Sequence, residues 1–128
     1  MDERSEENKK IIQEYAELAF NQRKPEEAVA KYQGAYYRQH NPGATDGPEP
    51  FIHVVKWLAQ TYPSFHLELK HILADGDLVV THSHLVRAPG DRGMAVMDLF
   101  RLEDGKIVEH WDVVQEIPEK SANNNTMF

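Results

Sequence analysis

Titratable side chains interrupt two apolar stretches late in the sequence, at Asp98, His110 and Asp112. An imidazole close to a carboxylate can transfer protons, because histidine titrates near neutral pH. The carboxyl group of Asp98, which stands between Met97 and Leu99, can stay protonated in apolar surroundings and donate a hydrogen bond. A carboxylate paired with a histidine for structural reasons alone is the alternative. These residues indicate a proton-transfer site, provided that they share one face of a sheet.

A tight turn at Glu103-Asp104-Gly105 joins two predicted strands within residues 94–116. A two-residue Asp104-Gly105 turn would place Asp98 opposite Trp111. A three-residue loop, Glu103-Asp104-Gly105 with Gly105 left-handed in a bulge, places Asp98 opposite His110. A shift of one residue moves every side chain to the other face. We predict the three-residue loop, because it gathers the titratable groups on one face as the wall of a pocket, with Trp111 pointing away. That face carries Val96, Asp98, Phe100, Val108, His110, Asp112 and Val114.

Two further histidines, His82 and His84, lie two residues apart on a predicted strand over residues 78–87, so they point the same way. A solvent-facing polar row would explain an isolated pair, but the neighbouring strands supply titratable groups, so we place both in the pocket wall. His40 ends a short strand before a turn and can enter the pocket or lie on the surface. The predicted substrate-binding residues are His40, Trp57, His82, His84, Phe100 and Val114.

A metal site would use the same residue types, because imidazoles and carboxylates are common ligands of divalent metals. The histidines, however, are spread over three strands without a compact signature such as HExxH. We therefore expect no metal and no other cofactor. The sequence also lacks a glycine-rich phosphate loop and a serine nucleophile elbow, and it contains no cysteine for thiolate chemistry.

Composition and charge restrict the possible partners. The formal net charge of −7 disfavours nucleic acid, since phosphate binding requires a basic surface. No apolar run approaches the length of a membrane span, and the charged N-terminal segment is unlike the apolar core of a secretory signal. We expect a cytoplasmic protein that binds neither nucleic acid nor membranes.

Helical periodicity precedes strand periodicity along the chain. Apolar residues repeat at helical spacing up to Pro63 and alternate from Phe65 onward, where four long antiparallel strands are expected. Ser5 can cap the first helix. Helices segregated to one side of an antiparallel sheet make an α+β architecture. One predicted helix covers residues 5–20, a second begins at Pro25 and is broken by Gly34, and a third segment starts at Asp46-Gly47-Pro48 and ends at Pro63. A single domain covers 1–117, and a polar, loose tail covers 118–128.

The other face of the central hairpin carries more apolar side chains than a solvated face needs. We predict a symmetric homodimer that uses this face. Its residues are Met97, Leu99, Trp111 and Val113.

Three motifs make the chain similar to a known family. The pattern over residues 5–117 resembles SnoaL-like polyketide cyclases, which belong to the nuclear transport factor 2-like superfamily with ketosteroid isomerases and limonene epoxide hydrolases. The motifs are Tyr37-x-Gln39-His40-Asn41-Pro42, Asp75-Gly76-Asp77-Leu78-Val79-Val80, and the segment from Asp98 to Asp112 that contains DGKIVEHWD.

The resemblance implies a cone-shaped α+β barrel, in which N-terminal helices close an apolar pocket within a curved sheet, and it implies a homodimer. Asp112 matches the acidic residue that acts as acid and base in the intramolecular aldol ring closure of SnoaL-like cyclases. Asp98 lies where ketosteroid isomerases keep the protonated acid of their oxyanion hole. Asn41 stands where those isomerases carry a general-base aspartate, and this departure argues against an isomerase of that type.

These observations predict a cofactor-independent cyclase or isomerase that acts on a small carbonyl compound. Asp112, assisted by His110, would remove a proton alpha to the carbonyl, and Asp98 or a histidine would stabilise the enolate oxygen. Two alternatives remain open: a non-catalytic ligand-binding or dimerisation module of the same fold, and a metal-dependent enzyme that uses the histidines.

Overall fold

The computed structural model describes residues 2–128, in which three helices pack on one five-stranded sheet. A π-helical turn, Glu17–Asn21, extends the first helix. The α+β class predicted from the periodicity is confirmed. The elements are α1 (Glu3–Ala16), α2 (Pro25–Tyr32), β1 (Gln33–Gln39), α3 (Glu49–Thr61), β2 (His66–Asp75), β3 (Leu78–Val86), β4 (Met94–Glu103) and β5 (Lys106–Glu116).

The strands follow the order β1-β5-β4-β3-β2, with β1 parallel to β5 and the other neighbours antiparallel. The two edge strands, β1 and β2, do not pair, so the sheet is curved but unclosed. The pairing of β1 with β5 brings Gln39 level with His110. A segment far away in sequence therefore completes the polar part of the sheet.

The start of α1 differs from the prediction. Asp2, rather than Ser5, caps the helix, because its Oδ1 accepts a hydrogen bond from the Ser5 backbone nitrogen at 2.8 Å. The Ser5 hydroxyl instead accepts from the Gly76 nitrogen at 2.7 Å, and Asn8 donates to the Gly76 carbonyl at 2.9 Å. Both side chains are buried, so they tie α1 to the turn between β2 and β3.

The β4–β5 hairpin reverses in a two-residue turn, and the predicted three-residue loop was wrong. Glu103 pairs with Lys106, which leaves only Asp104 and Gly105 in the turn. Both have positive φ, 48° and 77°, as a type I′ turn requires. Aspartate tolerates this left-handed conformation better than most residues.

A β-bulge in β5 then restores the predicted faces. Leu102 pairs with Ile107 and Arg101 pairs with Glu109, so Val108 is one extra residue in β5. This extra residue shifts the register by one. The shift cancels that of the shorter turn, so the side chains beyond the bulge occupy the predicted faces. Beyond the bulge the opposed pairs are Phe100–His110, Asp98–Asp112 and Val96–Val114.

The core lies between the helices and one face of the sheet, which we call the inner face. Tyr15 of α1 is almost fully buried and stacks on Phe51 of α3 at a centroid distance of 5.3 Å. Phe20, in the π-helical turn, meets Phe51 and Phe65 edge-on. Asn21 holds that turn on β2, because its amide exchanges two hydrogen bonds with the Leu67 backbone.

Within residues 2–128, no helix has the length and apolar character to cross a membrane.

Candidate functional site

A cavity of about 870 Å³ lies between the inner face and the helices. Its volume is in the range of small-molecule sites. Aromatic and aliphatic side chains from the helices, such as Ile12, Tyr15 and Phe51, form most of one wall. The sheet forms the other wall, and its polar groups are concentrated in one region. That region contains Gln39 and Asn41 from the end of β1, Thr81 from β3, Asp98 from β4, and His110 and Asp112 from β5.

His110 is buried, and both of its ring nitrogens have protein partners. Its Nδ1 lies 2.8 Å from the Gln39 side-chain oxygen. That oxygen also accepts from the backbone nitrogens of His40 and Asn41, each at 3.1 Å, which fixes the orientation of the amide. Because an amide oxygen can only accept, the network assigns a proton to His110 Nδ1.

The second ring nitrogen of His110 contacts a carboxyl group. Nε2 lies 2.8 Å from Asp98 Oδ1. With Nδ1 already protonated, a hydrogen bond between these atoms needs one further proton, on the imidazole or on the carboxyl group. Asp98 and His110 therefore hold that proton between them, either as an ion pair or as a neutral acid and a neutral imidazole.

Asp112 is held at one oxygen only. Its Oδ1 accepts from the Asn41 amide nitrogen at 2.7 Å, and Asn41 is fixed because its own oxygen accepts from the Gly43 nitrogen at 2.8 Å. Oδ2 lies 3.9 Å from His110 Nε2 and has no hydrogen-bond partner within residues 2–128. Burial raises the pKa of Asp112, and the opposed carboxyl group of Asp98 raises it further. A higher pKa makes the carboxylate a better base.

Two buried tyrosines, Tyr15 and Tyr37, also line the cavity. Desolvation raises the pKa of both hydroxyls well above the usual value, so both stay neutral near neutral pH. Tyr37 stacks on the His110 ring with a centroid distance of 6.2 Å and an interplanar angle of 16°. These neutral hydroxyls add potential hydrogen-bond donors to the cavity wall.

Five of the predicted site residues line the cavity together: Asp98, Phe100, His110, Asp112 and Val114. Trp111 points away from it, as predicted, and stacks on His40. Val108 was predicted on the inner face but, as the bulge residue, it is buried without lining the cavity.

The predicted position of the histidine pair of β3 was wrong. His82 and His84 do point the same way, but they lie on the opposite face of the sheet, which we call the outer face, and both pack against Phe128 with tilted rings. Thr81 and Ser83 line the cavity instead, because Thr81 is the residue opposed to Asp98. Side chains alternate along a strand, so a pair on one face excludes its neighbours from that face.

His40 and Trp57 also lie outside the cavity, contrary to the prediction. His40 follows Gln39 directly, and Gln39 occupies the inner position. The His40 Nε2 lies 2.7 Å from Glu109, and the ring stacks on Trp111 at 4.6 Å. Trp57 is on the exposed side of α3, with 49% of its surface accessible.

Sequence reasoning missed Gln39 and Asn41 as site residues. Both stand in the motif that was singled out, Tyr37-x-Gln39-His40-Asn41-Pro42, from which only His40 was chosen. Alternation along β1 could have favoured Tyr37 and Gln39 over His40. Only the parallel pairing of β1 with β5 decides which of these residues faces His110.

Asp98, His110 and Asp112 also have the residue types of a metal site. One ligand atom from each lies within 4.8 Å of the others. Hydrogen bonds already join His110 to Gln39 and Asp98 and join Asp112 Oδ1 to Asn41, so most of the possible ligand atoms have a protein partner without a cation. The cluster therefore does not by itself indicate a metal, and our expectation of a metal-free site stays a prediction.

The outer face keeps the apolar residues on which the homodimer prediction rests. Met97 and Val113 expose 45% and 74% of their surface, and Leu99 and Trp111 are partly buried. The dimer stays a prediction.

The fold and the cavity define a class of α+β proteins in which a curved sheet and its helices enclose a small-molecule site. The family model of the SnoaL-like domain matches residues 12–110, which is most of the chain. The chain belongs to the SnoaL-like family, and the resemblance inferred from the motifs is confirmed. No curated protein matches the sequence.

Solved structures show the same fold at low sequence identity. TsrD from Streptomyces laurentii is 22% identical, with a TM-score of 0.72 over 89% of this chain and 90% of that one. A proposed ketosteroid isomerase from Kribbella flavida is 21% identical, with a TM-score of 0.71 over 93% and 85%. IdmH from Streptomyces antibioticus, a proposed polyketide cyclase, is 21% identical, with a TM-score of 0.66 over 84% and 91%. At these identities the similarity establishes the fold.

Proposed function

We propose that the protein is a cofactor-independent enzyme of the cyclase or isomerase type, which transfers a proton at the carbon alpha to a carbonyl group. The observation that carries the proposal is the position of Asp112. Its Oδ2 has no hydrogen-bond partner within residues 2–128, and it lies in an apolar cavity beside the proton shared by Asp98 and His110. A base without a competing partner next to a hydrogen-bond donor is what enolisation requires.

The reaction would begin when the apolar part of the substrate fills the cavity and its alpha C–H bond lies against Asp112 Oδ2. The proton moves to Oδ2, and the electron pair of the C–H bond forms an enolate. The proton held between Asp98 and His110 turns from that bond toward the enolate oxygen and stabilises it by a hydrogen bond. In a cyclase, the enolate carbon then attacks a second carbonyl carbon of the same molecule, which closes a ring, and the resulting alkoxide takes the proton from Asp112. In an isomerase, the enolate takes the proton back from Asp112 at another carbon.

Asn41 supports this assignment of the base. The position that matches the general-base aspartate of ketosteroid isomerases is occupied here by an amide, which cannot remove a proton from carbon. Its nitrogen donates to Asp112 Oδ1, so Asn41 orients the acid that we assign as the base. The structural neighbours described as a polyketide cyclase and a ketosteroid isomerase are consistent with carbonyl chemistry in a cavity of this fold.

The test uses 2-tetralone, a bicyclic ketone with acidic alpha protons, in deuterated buffer. We expect the protein to accelerate exchange of these protons, as followed by proton NMR, and Asp112→Asn to abolish the acceleration. Glu119→Gln changes an exposed carboxylate near the C-terminus and serves as the matched control. Exchange no faster than in buffer would contradict the proposal.

Two additional measurements separate the alternatives. Exchange that disappears after dialysis against a chelator and returns with a divalent metal would favour the metal-dependent reading of the Asp98–His110–Asp112 cluster. Saturable binding of 2-tetralone without any exchange would favour a ligand-binding module of the same fold.

A further inference from the structure

We propose that the cavity selects its ligands by charge, taking uncharged molecules and protonated amines and rejecting carboxylates and phosphates. This inference deepens the proposed function by restricting the class of substrate, and it rests on the proposed function only in treating the ligand as a substrate. The selection itself is a property of the wall and can be measured on ligands that do not react.

The ionisable groups of the wall carry no permanent positive charge. None of the lining residues is a lysine or an arginine, and three of them are carboxylic acids. An anion that enters such a cavity loses its hydration and meets no lysine or arginine side chain in exchange, which is costly in a largely apolar environment. The ionisable lining groups, apart from the tyrosines, are Glu49, His53, Asp98, His110 and Asp112.

Two arginine side chains outside the cavity lining are engaged in other contacts. Arg101 is bonded to Glu109 and Glu103, on the outer face and at the end of the hairpin. Arg23 donates to the carbonyls of Pro63 and Phe65. Recruiting either guanidinium to an anion in the cavity would break these bonds, so neither is free to offset the acids of the wall.

The aromatic lining adds attraction for a cation. Tyr15, Phe20, Tyr37, Phe51 and Phe100 contribute ring surface to the cavity, and the faces of aromatic rings attract ammonium groups. Asp112 Oδ2 can accept a hydrogen bond from such a group. A protonated amine on an apolar skeleton would therefore find both an acceptor and aromatic contacts, whereas a neutral carbonyl would use the proton of the Asp98–His110 pair.

The test compares three ligands with one bicyclic skeleton: 2-tetralone, which is neutral, 2-aminotetralin, which is a cation, and tetralin-2-carboxylate, which is an anion. Their dissociation constants are measured by calorimetry near neutral pH. We expect the amine to bind at least as tightly as the ketone, and the carboxylate to bind weaker than the ketone by about tenfold or more, that is about 1.4 kcal/mol. A carboxylate that binds as tightly as the ketone overturns the proposal, and so does the absence of binding by all three.

Variants of the lining residues test whether the acids of the cavity wall cause the selection by charge. Asp112→Asn and Asp98→Asn each remove one acid, and either should narrow the difference between the carboxylate and the ketone, whereas Glu119→Gln should leave it unchanged. Circular dichroism establishes whether each variant is folded, and one folded variant that lacks an acid suffices for the comparison. A difference that neither variant narrows contradicts the inference.

Proton exchange in 2-tetralone, measured on the same samples, separates this inference from the proposed function. Selective binding without exchange refutes the proposed function alone. Exchange without selectivity refutes the charge selection alone.

Discussion

The two faces of the sheet carry the same kinds of titratable residue in different surroundings, and β5 shows this within four positions. Glu109, on the outer face, accepts hydrogen bonds from His40 and Arg101 at 2.7 Å each, and these partners lower its pKa. Asp112, on the inner face, has one amide partner, and burial raises its pKa. Carboxylates three residues apart thus lie in opposite environments: Glu109 is held as an anion by its partners, whereas Asp112 is the group to which we assign the role of base.

The histidines show the same contrast between the inner and the outer face of the sheet. His110 is buried between Gln39 and Asp98, and the network fixes the proton on Nδ1. His82 and His84 are partly exposed on the outer face and pack against Phe128. The residue type is the same in all three cases. What distinguishes His110 is a buried position with a defined partner at each nitrogen, which is the arrangement that proton transfer needs.

The largest expected effect separates the two carboxylates of β5. Asp112→Asn should lower the rate of alpha-proton exchange by about 100- to 10,000-fold, because an amide cannot take a proton from carbon. Glu109→Gln should leave the exchange rate within a few-fold but lower the free energy of unfolding by about 1–3 kcal/mol, because charge-assisted bonds to Arg101 and His40 are lost. Exchange rates and thermal midpoints of both variants check the contrast, and the reverse pattern would contradict it.

The change in stability caused by Asp112→Asn has a direction that follows from the raised pKa of Asp112. A carboxyl group whose pKa is raised on folding binds its proton more tightly in the native state than in the unfolded state. Its contribution to stability is therefore largest at low pH and is lost as the pH rises through the raised pKa. Replacing it with a neutral amide removes that loss, so the thermal midpoint at neutral pH should hold or rise.

A smaller effect tests the network around His110. Gln39→Leu removes the acceptor at Nδ1, so the ring is free to change tautomer, and exchange should slow by about tenfold or more. Gln39→Glu keeps an oxygen in that position and should retain more of the activity. Nitrogen-15 NMR of the imidazole reports the tautomer directly. A Gln39→Leu variant that keeps both the Nδ1-protonated ring and the full exchange rate would show that Gln39 does not position His110.

The smallest effect on exchange is expected on the outer face. Val113→Lys places a charge in the exposed apolar patch and should convert the predicted homodimer into a monomer, without altering proton exchange. Leu73→Lys, on β2 at the edge of the sheet, is a matched control with a similarly exposed apolar residue. Sedimentation that shows a monomeric wild-type protein at micromolar concentration would remove the dimer prediction.

Local periodicity predicted most of the helices and strands. Which side chains share a face of the sheet depends in addition on the turn length and on the β-bulge. The set Asp98, His110 and Asp112 was placed correctly on one face even though the turn was wrong, because the shorter turn and the bulge each shift the register by one. The bulge itself had no signal, since Ile107 and Val108 are both apolar and either could be the extra residue.

The histidines of β3 show the limit of alternation. Thr81 and Ser83 alternate with His82 and His84, so both faces of this part of the strand are polar and neither is marked as the inner one. The choice between Gln39 and His40 depended on the parallel pairing of β1 with β5, a contact between segments about seventy residues apart. Such contacts are set by the packing of the whole sheet, which a single sequence pattern does not contain.

The central claim is that Asp112 is a base with a raised pKa, in contrast to Glu109. The most direct test is a carbon-13 NMR titration of the side-chain carboxyl groups, recorded beside the pH dependence of proton exchange in 2-tetralone. We predict that Asp112 titrates above the ordinary range of aspartate and Glu109 below that of glutamate, and that exchange is lost as the pH falls through the titration of Asp112. An Asp112 that titrates at or below its ordinary pKa, or an exchange rate that does not follow its ionisation, would contradict the account.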